Sequence, residues 1–160
     1  YILFGIKKRI EENVMMKCDE IIVLNNSIKK YVNLHKLGRA SFIPNAIDPN
    51  YYYNKPDQCL ILSAGRLDAV KGIHLLIEAF KNLDRNHIKK FKLIIIGSGP
   101  AETEIKRLIK ESEVADRIEL LPFMDKRKLI DYMSRCSFFV LPSIFETLYS
   151  ECIIESVLMK

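Results

Sequence analysis

The sequence predicts an α/β fold built on a doubly wound parallel sheet, and two alternating patterns lead to this prediction. Apolar spacing near 3.6 residues, typical of amphipathic helices, follows several of the strand-like runs, as at Ile73, Leu76, Ile77 and Phe80. Parallel strands need such crossover helices, which also bury both faces of the sheet. The short apolar or β-branched runs that predict the strands lie at 20–25, 41–45, 59–65, 91–97, 117–121 and 137–141.

The elements group into two domains along the chain. Residues 1–45 supply a helix, strand, helix and strand, which we interpret as the end of a preceding domain. Residues 46–58 contain two prolines and no apolar periodicity, so they predict an interdomain linker. Residues 59–160 hold the doubly wound sheet. Because the chain begins at a tyrosine and ends inside an apolar run, we expect a fragment of a longer protein, truncated at its carboxyl end.

Composition excludes several classes of protein. About half of the 160 residues are hydrophobic, which is enough for a sizeable core, and no apolar run reaches the roughly 20 residues of a membrane span. The four cysteines form no CxxC pair and no zinc-like cluster, so we predict reduced thiols and a cytoplasmic protein. The charge of +5 is spread over mixed surfaces, which argues against nucleic acid. It leaves peripheral contact with anionic lipid at the inner membrane face open.

A cationic loop follows the first strand of the predicted sheet. Gly65 and Gly72 permit close backbone approach, while Arg66 and Lys71 supply positive charge beside the start of a helix. A guanidinium fork and an ammonium group both suit phosphate oxygens. The loop is therefore a candidate anion site, and the alternative is a solvated loop with ordinary surface cations.

A glycine turn follows the next strand. Gly97 and Gly99 end the strand, and we expect the next helix to contain Pro100 in its first turn. The turn resembles the start of a dinucleotide fingerprint, but Glu102 stands where its third glycine belongs. A carboxylate there would repel a pyrophosphate, which disfavours a nicotinamide site.

A third candidate, LPSIFETLYSECIIES, spans residues 141–156. We expect a strand ending at Leu141, an irregular loop with Glu146, and a helix that carries Glu151 and Glu155 on one face. Carboxylates beside a basic site are suited to hydrogen-bonding sugar hydroxyls. The alternative is an acidic first helical turn favoured by the helix dipole.

Together these stretches resemble the carboxyl-terminal half of a retaining glycosyltransferase with the GT-B fold, family 4 (glycosyl transferases group 1). Four blocks occur in the family's order, with Ala46 and Pro122 in places where the family usually has glycine. The resemblance implies a Rossmann-like nucleotide-sugar-binding domain after the end of an acceptor-side domain. The blocks are IPNAIDPNYY, AGRLDAVKGIHLLIEAF, IIIGSGP and LPFMDKRKLIDYMSRCSFFVLPSIFET.

The resemblance also implies roles for individual residues. Arg66 and Lys71 match the pair that grips the donor diphosphate. Glu146 and Glu155 match the glutamates of the family's EX7E motif, which face the transferred sugar and bind the ribose. The residues that we assign to donor binding are Gly65, Arg66, Lys71, Gly97, Gly99, Glu146 and Glu155, and of these Arg66, Lys71 and Glu146 are assigned to catalysis.

The last block departs from the family pattern. Eight residues separate Glu146 from Glu155 where the family has seven, and TLYS replaces a glycine-rich GFG. Either the loop absorbs one extra residue, which we favour because ECIIES keeps the family's apolar spacing, or Glu151 takes one of the two roles.

The expected reaction is transfer of a sugar from a nucleotide diphosphate sugar to a hydroxyl acceptor, with retention of anomeric configuration and without a metal or other cofactor. The acceptor is a glycan, a lipid-linked molecule or a small molecule, and the fragment alone is expected to be inactive. Backbone groups near 121–123 are expected to contact the nucleotide base. The alternatives are a nucleotide-binding module without transfer activity and an NAD-linked oxidoreductase domain.

Overall fold

The chain divides into two compact units. The computed structural model describes residues 2–44, 59–83, 90–144 and 155–157, with side chains from residue 5 onward. The units are Tyr1–Ala46 and Ile47–Lys160. The predicted linker at 46–58 lies outside the described residues, and the roles assigned to the two domains stay predictions.

The first unit contains two helices and a pair of parallel strands. In chain order these are α1 (Ile2–Met15), β1 (Ile21–Val23), α2 (Asn26–Leu34) and β2 (Ala40–Phe42). The Asn25 side chain accepts a hydrogen bond from the Ile28 amide at 2.8 Å, which caps α2. Val23, Val32 and Leu37 form its small core. The predicted order of helix, strand, helix and strand is confirmed.

The second unit is a four-stranded parallel sheet with helical crossovers. Its elements are β3 (Leu60–Ala64), α3 (Ile73–Lys81), β4 (Lys92–Ile96), α4 (Glu102–Lys110), β5 (Ile118–Leu121), α5 (Lys126–Arg135) and β6 (Phe138–Phe139). The sheet order is β5-β4-β3-β6, so the chain starts at an inner strand, moves outward on one side and then crosses to the other. This confirms the predicted doubly wound α/β fold.

The two faces of the sheet bury alternate residues of each strand. On one face, Leu93 and Ile95 pack with α3 and α4, and on the other, Ile94 and Ile96 pack with α5. Helix α3 contributes most to the first face because four of its nine residues are buried, including Ile77 and Phe80. Burying each such side chain contributes about 1.5–3 kcal/mol. The continuous apolar runs of β3 and β4 thus have a covered surface on both sides.

Several predicted boundaries were wrong by two or three residues, and the runs at 20–25 and 41–45 form strands that end earlier, at Val23 and Phe42. Helix α4 begins at Glu102, so Pro100 lies in the turn before it and not in its first turn. The reason is that the Ala101 amide donates to the Leu67 carbonyl at 2.9 Å, which holds this segment against the preceding loop. Strand β6 ends at Phe139 and not at Leu141.

Charged residues on the helices form exposed networks. On α4, the Arg107 guanidinium donates to both Glu104 and Glu111, which raises the pKa of Arg107, and the pKa of Glu104 is lowered by the same contact. This agrees with the interpretation of the mixed charges as a solvated surface. None of the helices in the described part of the chain is both long and apolar enough to cross a membrane.

Candidate functional site

Three loops meet at the carboxyl edge of the four-stranded sheet, following β3, β4 and β5. The Leu67 amide donates to the Ser98 carbonyl at 2.9 Å, which ties the first loop to the second. The Gly97 amide donates to the Leu121 carbonyl at 3.0 Å, which ties the second to the third. Because these bonds continue the ladders of the sheet, the loops are held in fixed register. Ligands of open parallel sheets bind at this edge.

Glycines allow the first two loops to touch. A Cβ atom on Gly97 would collide with the carbonyl oxygen of Gly65, and one on Gly99 would collide with the carbonyl of Leu67. Any larger residue would push the loops apart and break the bond between Leu67 and Ser98. We call the two loops that contain Gly65, Gly97 and Gly99 the glycine loops.

A cavity of about 530 Å³ opens beside the glycine loops. Its apolar wall includes Ile96, Met124 and Leu129, while the Phe123 side chain is 76% exposed at its edge. The remaining described residues that line it are Ala64, Gly65, Arg66, Gly97, Ser98, Gly99 and Pro100. The cavity thus combines an apolar surface, glycine backbone and one cation, and four of the predicted donor-binding residues lie around it.

Arg66 is the cation that lines the cavity. Its side chain is 70% exposed, and its Nε lies 3.5 Å from Oδ2 of Asp68. Asp68 also accepts a hydrogen bond from the Val70 amide, at 3.2 Å, which starts a short 3-10 helix over Ala69–Lys71. The guanidinium therefore projects from a loop that its own neighbours hold in place, and its exposure leaves it accessible to an anion.

Lys71 ends the 3-10 helix and lies outside the cavity lining. The next residue, Gly72, has φ of 66°, a left-handed conformation that favours glycine, and a Cβ atom there would collide with the Pro142 carbonyl. The Ile144 amide donates to the Val70 carbonyl at 2.8 Å. These contacts bring the segment after β6 against the turn that carries Lys71.

The predicted carboxylates of the third candidate are only partly described. Glu146 and Glu151 lie outside the described residues, and so does the loop whose length departs from the family. Glu155 is described, and it is 4% exposed. Its Oε1 lies 3.0 Å from Nζ of Lys126, the first residue of α5.

Lys126 is the charged contact that the sequence analysis missed. It lies in the run DKRK, which has the appearance of a solvated surface, and no pattern distinguishes it from Arg127 or Lys128. Only the fold brings it to a carboxylate 29 positions later in the chain. The same connection between β5 and α5 supplies Phe123 and Met124 to the cavity.

The acid before Lys126 caps its helix. Oδ1 of Asp125 accepts a hydrogen bond from the Lys128 amide at 3.0 Å, and this bond holds the pKa of the Asp125 carboxyl below its ordinary value. The cap fixes where α5 begins, and hence where Lys126 is placed. The cap at Asp125 thus helps to place the neighbouring Lys126 for its ion pair with Glu155.

Two carboxylates, Glu102 and Glu119, pair with lysines. Glu119 pairs with Lys92 on the neighbouring strand β4, and Glu102 accepts from Lys106 at 2.6 Å one turn along α4. His74 is exposed in the first turn of α3. Within the described ranges, no group of three or more His, Cys, Asp or Glu side chains is placed to hold a metal ion. The expectation that the reaction needs no metal stays a prediction.

Comparison with known sequences identifies a family. A sequence model described as Glycosyl transferases group 1 matches residues 50–149, a range that contains Arg66, Lys71, Gly97 and Gly99. A Campylobacter jejuni protein named N-acetylgalactosamine-N,N'-diacetylbacillosaminyl-diphospho-undecaprenol 4-alpha-N-acetylgalactosaminyltransferase is 39% identical over 97 residues, which are 61% of this chain and 25% of that protein. An uncharacterized glycosyltransferase of Methanocaldococcus jannaschii is 32% identical over 78% of this chain and 34% of its own length. The chain thus spans a quarter to a third of these relatives.

Solved structures share the fold. A sucrose-phosphate synthase from Thermosynechococcus elongatus superposes with a TM-score of 0.74 at 25% identity, covering 92% of this chain and 40% of that one. S. aureus TarM, in a complex with UDP among other ligands, superposes with a TM-score of 0.78 at 19% identity, covering 96% of this chain and 30% of its own. At that identity the second likeness concerns the fold alone.

Proposed function

The chain belongs to the family of glycosyl transferases group 1, and from this premise we propose that it forms the donor side of a glycosyltransferase. The full-length protein would transfer a sugar from a nucleotide diphosphate sugar to a hydroxyl acceptor, with retention of configuration. The observation that carries the proposal is the cavity at the carboxyl edge of the sheet. It places one exposed cation beside glycine backbone and an apolar wall.

Each part of the cavity suits one part of such a donor. The apolar wall of Ile96, Met124 and Leu129 offers a surface for the flat nucleotide base. The Arg66 fork matches diphosphate oxygens, and the open space where a Cβ atom on Gly65 would stand leaves room for an anion. Glu155, as the second glutamate of the resemblance, would accept hydrogen bonds from the ribose.

The proposed mechanism depends on charge at the leaving diphosphate. As the glycosidic bond breaks, negative charge grows on the phosphate oxygens, and cations fixed beforehand stabilise it without reorganising. Arg66 and Lys71 would provide that stabilisation, and Glu146 would face the transferred sugar. No side chain is assigned as the catalytic base, because in this mechanism the leaving phosphate takes the acceptor proton.

The acceptor and the cellular location are proposed only as classes. We propose a glycan, a lipid-linked molecule or a small molecule as acceptor, and a cytoplasmic protein that associates peripherally with the inner face of the membrane. The name of the C. jejuni relative includes a diphospho-undecaprenol acceptor, which supports the lipid-linked class. The mixed basic surface of the chain suits contact with anionic lipid.

The first test is binding. The full-length protein is heated with UDP, GDP, ADP or NAD, and the unfolding temperature is measured for each. We expect at least one nucleoside diphosphate to stabilise the protein, since a ligand that binds the native state raises its stability. Stabilisation by NAD alone would refute the transferase proposal and favour the oxidoreductase alternative.

The second test is turnover with the stabilising nucleotide's sugar conjugates. Arg66→Ala and Lys71→Ala should each reduce kcat/KM by about 100-fold, in the range found when one preorganised charge contact is removed. Arg66→Lys should recover part of the loss, because it restores charge without the fork. Lys106→Ala, on the exposed surface of α4, is the matched control and should leave kcat/KM unchanged. Full activity of both alanine variants would exclude the diphosphate assignment, and binding without turnover in the unmodified protein would favour a nucleotide-binding module.

A further inference from the structure

The ion pair between Lys126 and Glu155 has an unusual distribution of exposure. The Glu155 side chain is 5% exposed, whereas that of Lys126 is 58% exposed. A carboxylate at that depth is rarely found without a partner, because burial disfavours its charged form. The lysine reaches it from the solvent side, with Nζ 3.0 Å from Oε1.

We propose that Lys126 is a positioning residue for nucleotide binding, acting through Glu155. The inference rests on the proposed function, in which Glu155 accepts hydrogen bonds from the ribose. The ammonium group holds Oε1, so that the Glu155 side chain is oriented as an acceptor before the nucleotide enters. Lys126 itself does not bind the ribose.

The place of Lys126 in the chain connects two parts of the site. Lys126 follows directly after Phe123, Met124 and Asp125, and the first two of these line the cavity. The cap at Asp125 fixes the start of α5, and the next residue reaches Glu155. The short connection between β5 and α5 thus forms part of the apolar wall and also anchors the carboxylate. It therefore links the surface proposed for the nucleotide base to the residue proposed for the ribose.

Removing the cation leaves a buried carboxylate without this compensation. Without the lysine to hold Oε1, the carboxylate can turn away toward water, and it is then a poorer acceptor at its original place. Hydrogen bonds to a charged group are stronger than those to a neutral one. The loss of affinity should therefore be confined to the ribose hydroxyl groups that donate hydrogen bonds to Glu155, and contacts with the phosphates should be unaffected.

The experiment compares a ribonucleotide with its 2′-deoxy form. The full-length protein and its variants are titrated by calorimetry with UDP, GDP and ADP, and with dUDP, dGDP and dADP. The measured quantity is the ratio of the two dissociation constants within each base. Because both ligands are measured on the same sample, a change in folded fraction cancels in this ratio, and circular dichroism checks that the variants fold.

Four single variants and one double variant define the expected result. Glu155→Gln should lower the ribose preference by roughly 10-fold, the size of a lost charged hydrogen bond. Lys126→Gln should lower it by about 3- to 10-fold, and Lys126→Arg should restore it, since a guanidinium can replace the ammonium. Lys128→Gln, two residues later on the exposed side of α5, is the control and should leave it unchanged. In the Glu155→Gln background, Lys126→Gln should have no further effect.

The outcomes separate the inference from the proposed function. If Glu155→Gln lowers the ribose preference and Lys126→Gln does not, the inference alone is overturned. If Lys126→Gln weakens ribose and deoxyribose forms equally, or still acts without Glu155, Lys126 contacts the nucleotide itself and the positioning role is refuted. If no nucleoside diphosphate binds, or Glu155→Gln changes nothing, the proposed function fails at this residue and the inference fails with it.

Discussion

The glycine loops and the charged pairs stand side by side at the same edge of the sheet, and they are built in opposite ways. In the glycine loops the backbone itself defines the geometry, since carbonyl oxygens occupy the positions where the Cβ atoms of Gly97 and Gly99 would stand. In the pairs Arg66–Asp68 and Lys126–Glu155, charged side chains define it, and three of the four are substantially exposed or partly exposed to water.

The two constructions separate the substitutions that affect folding from those that affect ligand binding. The glycine loops belong to the packed end of the sheet, where one added methyl group displaces neighbouring backbone. Arg66 can be replaced without opening a cavity or breaking the ladder, because its side chain is exposed and solvent compensates for the lost charge. Substitutions in the first group should therefore change stability, and those in the second should change ligand binding.

The largest expected effect comes from Gly97→Ala. The added Cβ would collide with the Gly65 carbonyl, so the loops must separate, and we expect a loss of about 2 kcal/mol or more in the free energy of unfolding. The measurement is urea denaturation followed by circular dichroism. Gly5→Ala is the control: no atom lies within 4 Å of its added Cβ, and in a helix it should raise stability by up to about 1 kcal/mol. Equal stability of Gly97→Ala and the unmodified protein would contradict the backbone account.

A smaller effect is expected at Ser63, in the strand beneath the glycine loops. The Ser63 side chain is buried, and its hydroxyl has no hydrogen-bond partner within the described part of the chain. Since an unsatisfied buried hydroxyl is unfavourable, Ser63→Ala should raise the free energy of unfolding by about 1 kcal/mol. The same urea titration measures it. A destabilisation of similar size would show that the hydroxyl is bonded in solution.

The smallest expected effect is at Asp125, which caps α5 from an exposed position. The hydrogen bond from the Lys128 amide lowers the pKa of Asp125 in the folded protein. The cap therefore stabilises the protein fully above the ordinary Asp pKa of about 4, and this stabilisation is lost as the pH falls through the lowered pKa. Asp125→Ala should therefore lower the urea midpoint at pH 7, and this difference should shrink at pH 3.

The matched control for the cap is Asp116→Ala. Asp116 is an exposed acid in the 3-10 helix Ala115–Arg117 and does not cap it, so the substitution should change the urea midpoint little at either pH. A difference between Asp125→Ala and the unmodified protein that persists unchanged at pH 3 would exclude a charged cap.

The elements of the fold followed from the local pattern of apolar residues. Runs such as FKLIIIG can only be stable when both faces are covered, and the helical spacing after Ile73 supplies one of the covers. Boundaries were less predictable, as at Pro100, because a bond from Ala101 to a distant loop decided where α4 begins. Secondary-structure propensity depends on residues close together in the sequence, whereas such a bond joins segments that are distant in the sequence.

Local sequence was enough to predict the alternation of strands and helices, the doubly wound sheet, and the placement of Arg66, Gly97 and Gly99 in loops at one edge of that sheet. This was possible because hydrophobic periodicity and glycine placement are local properties of the chain. Three contacts depend on how the folded chain packs: Gly97 touches Gly65, Arg66 and Met124 line one cavity, and Lys126 meets Glu155. These contacts join residues far apart in the chain. In a run of charges such as DKRK, the sequence does not indicate which residue will meet a buried carboxylate, because packing decides that pairing.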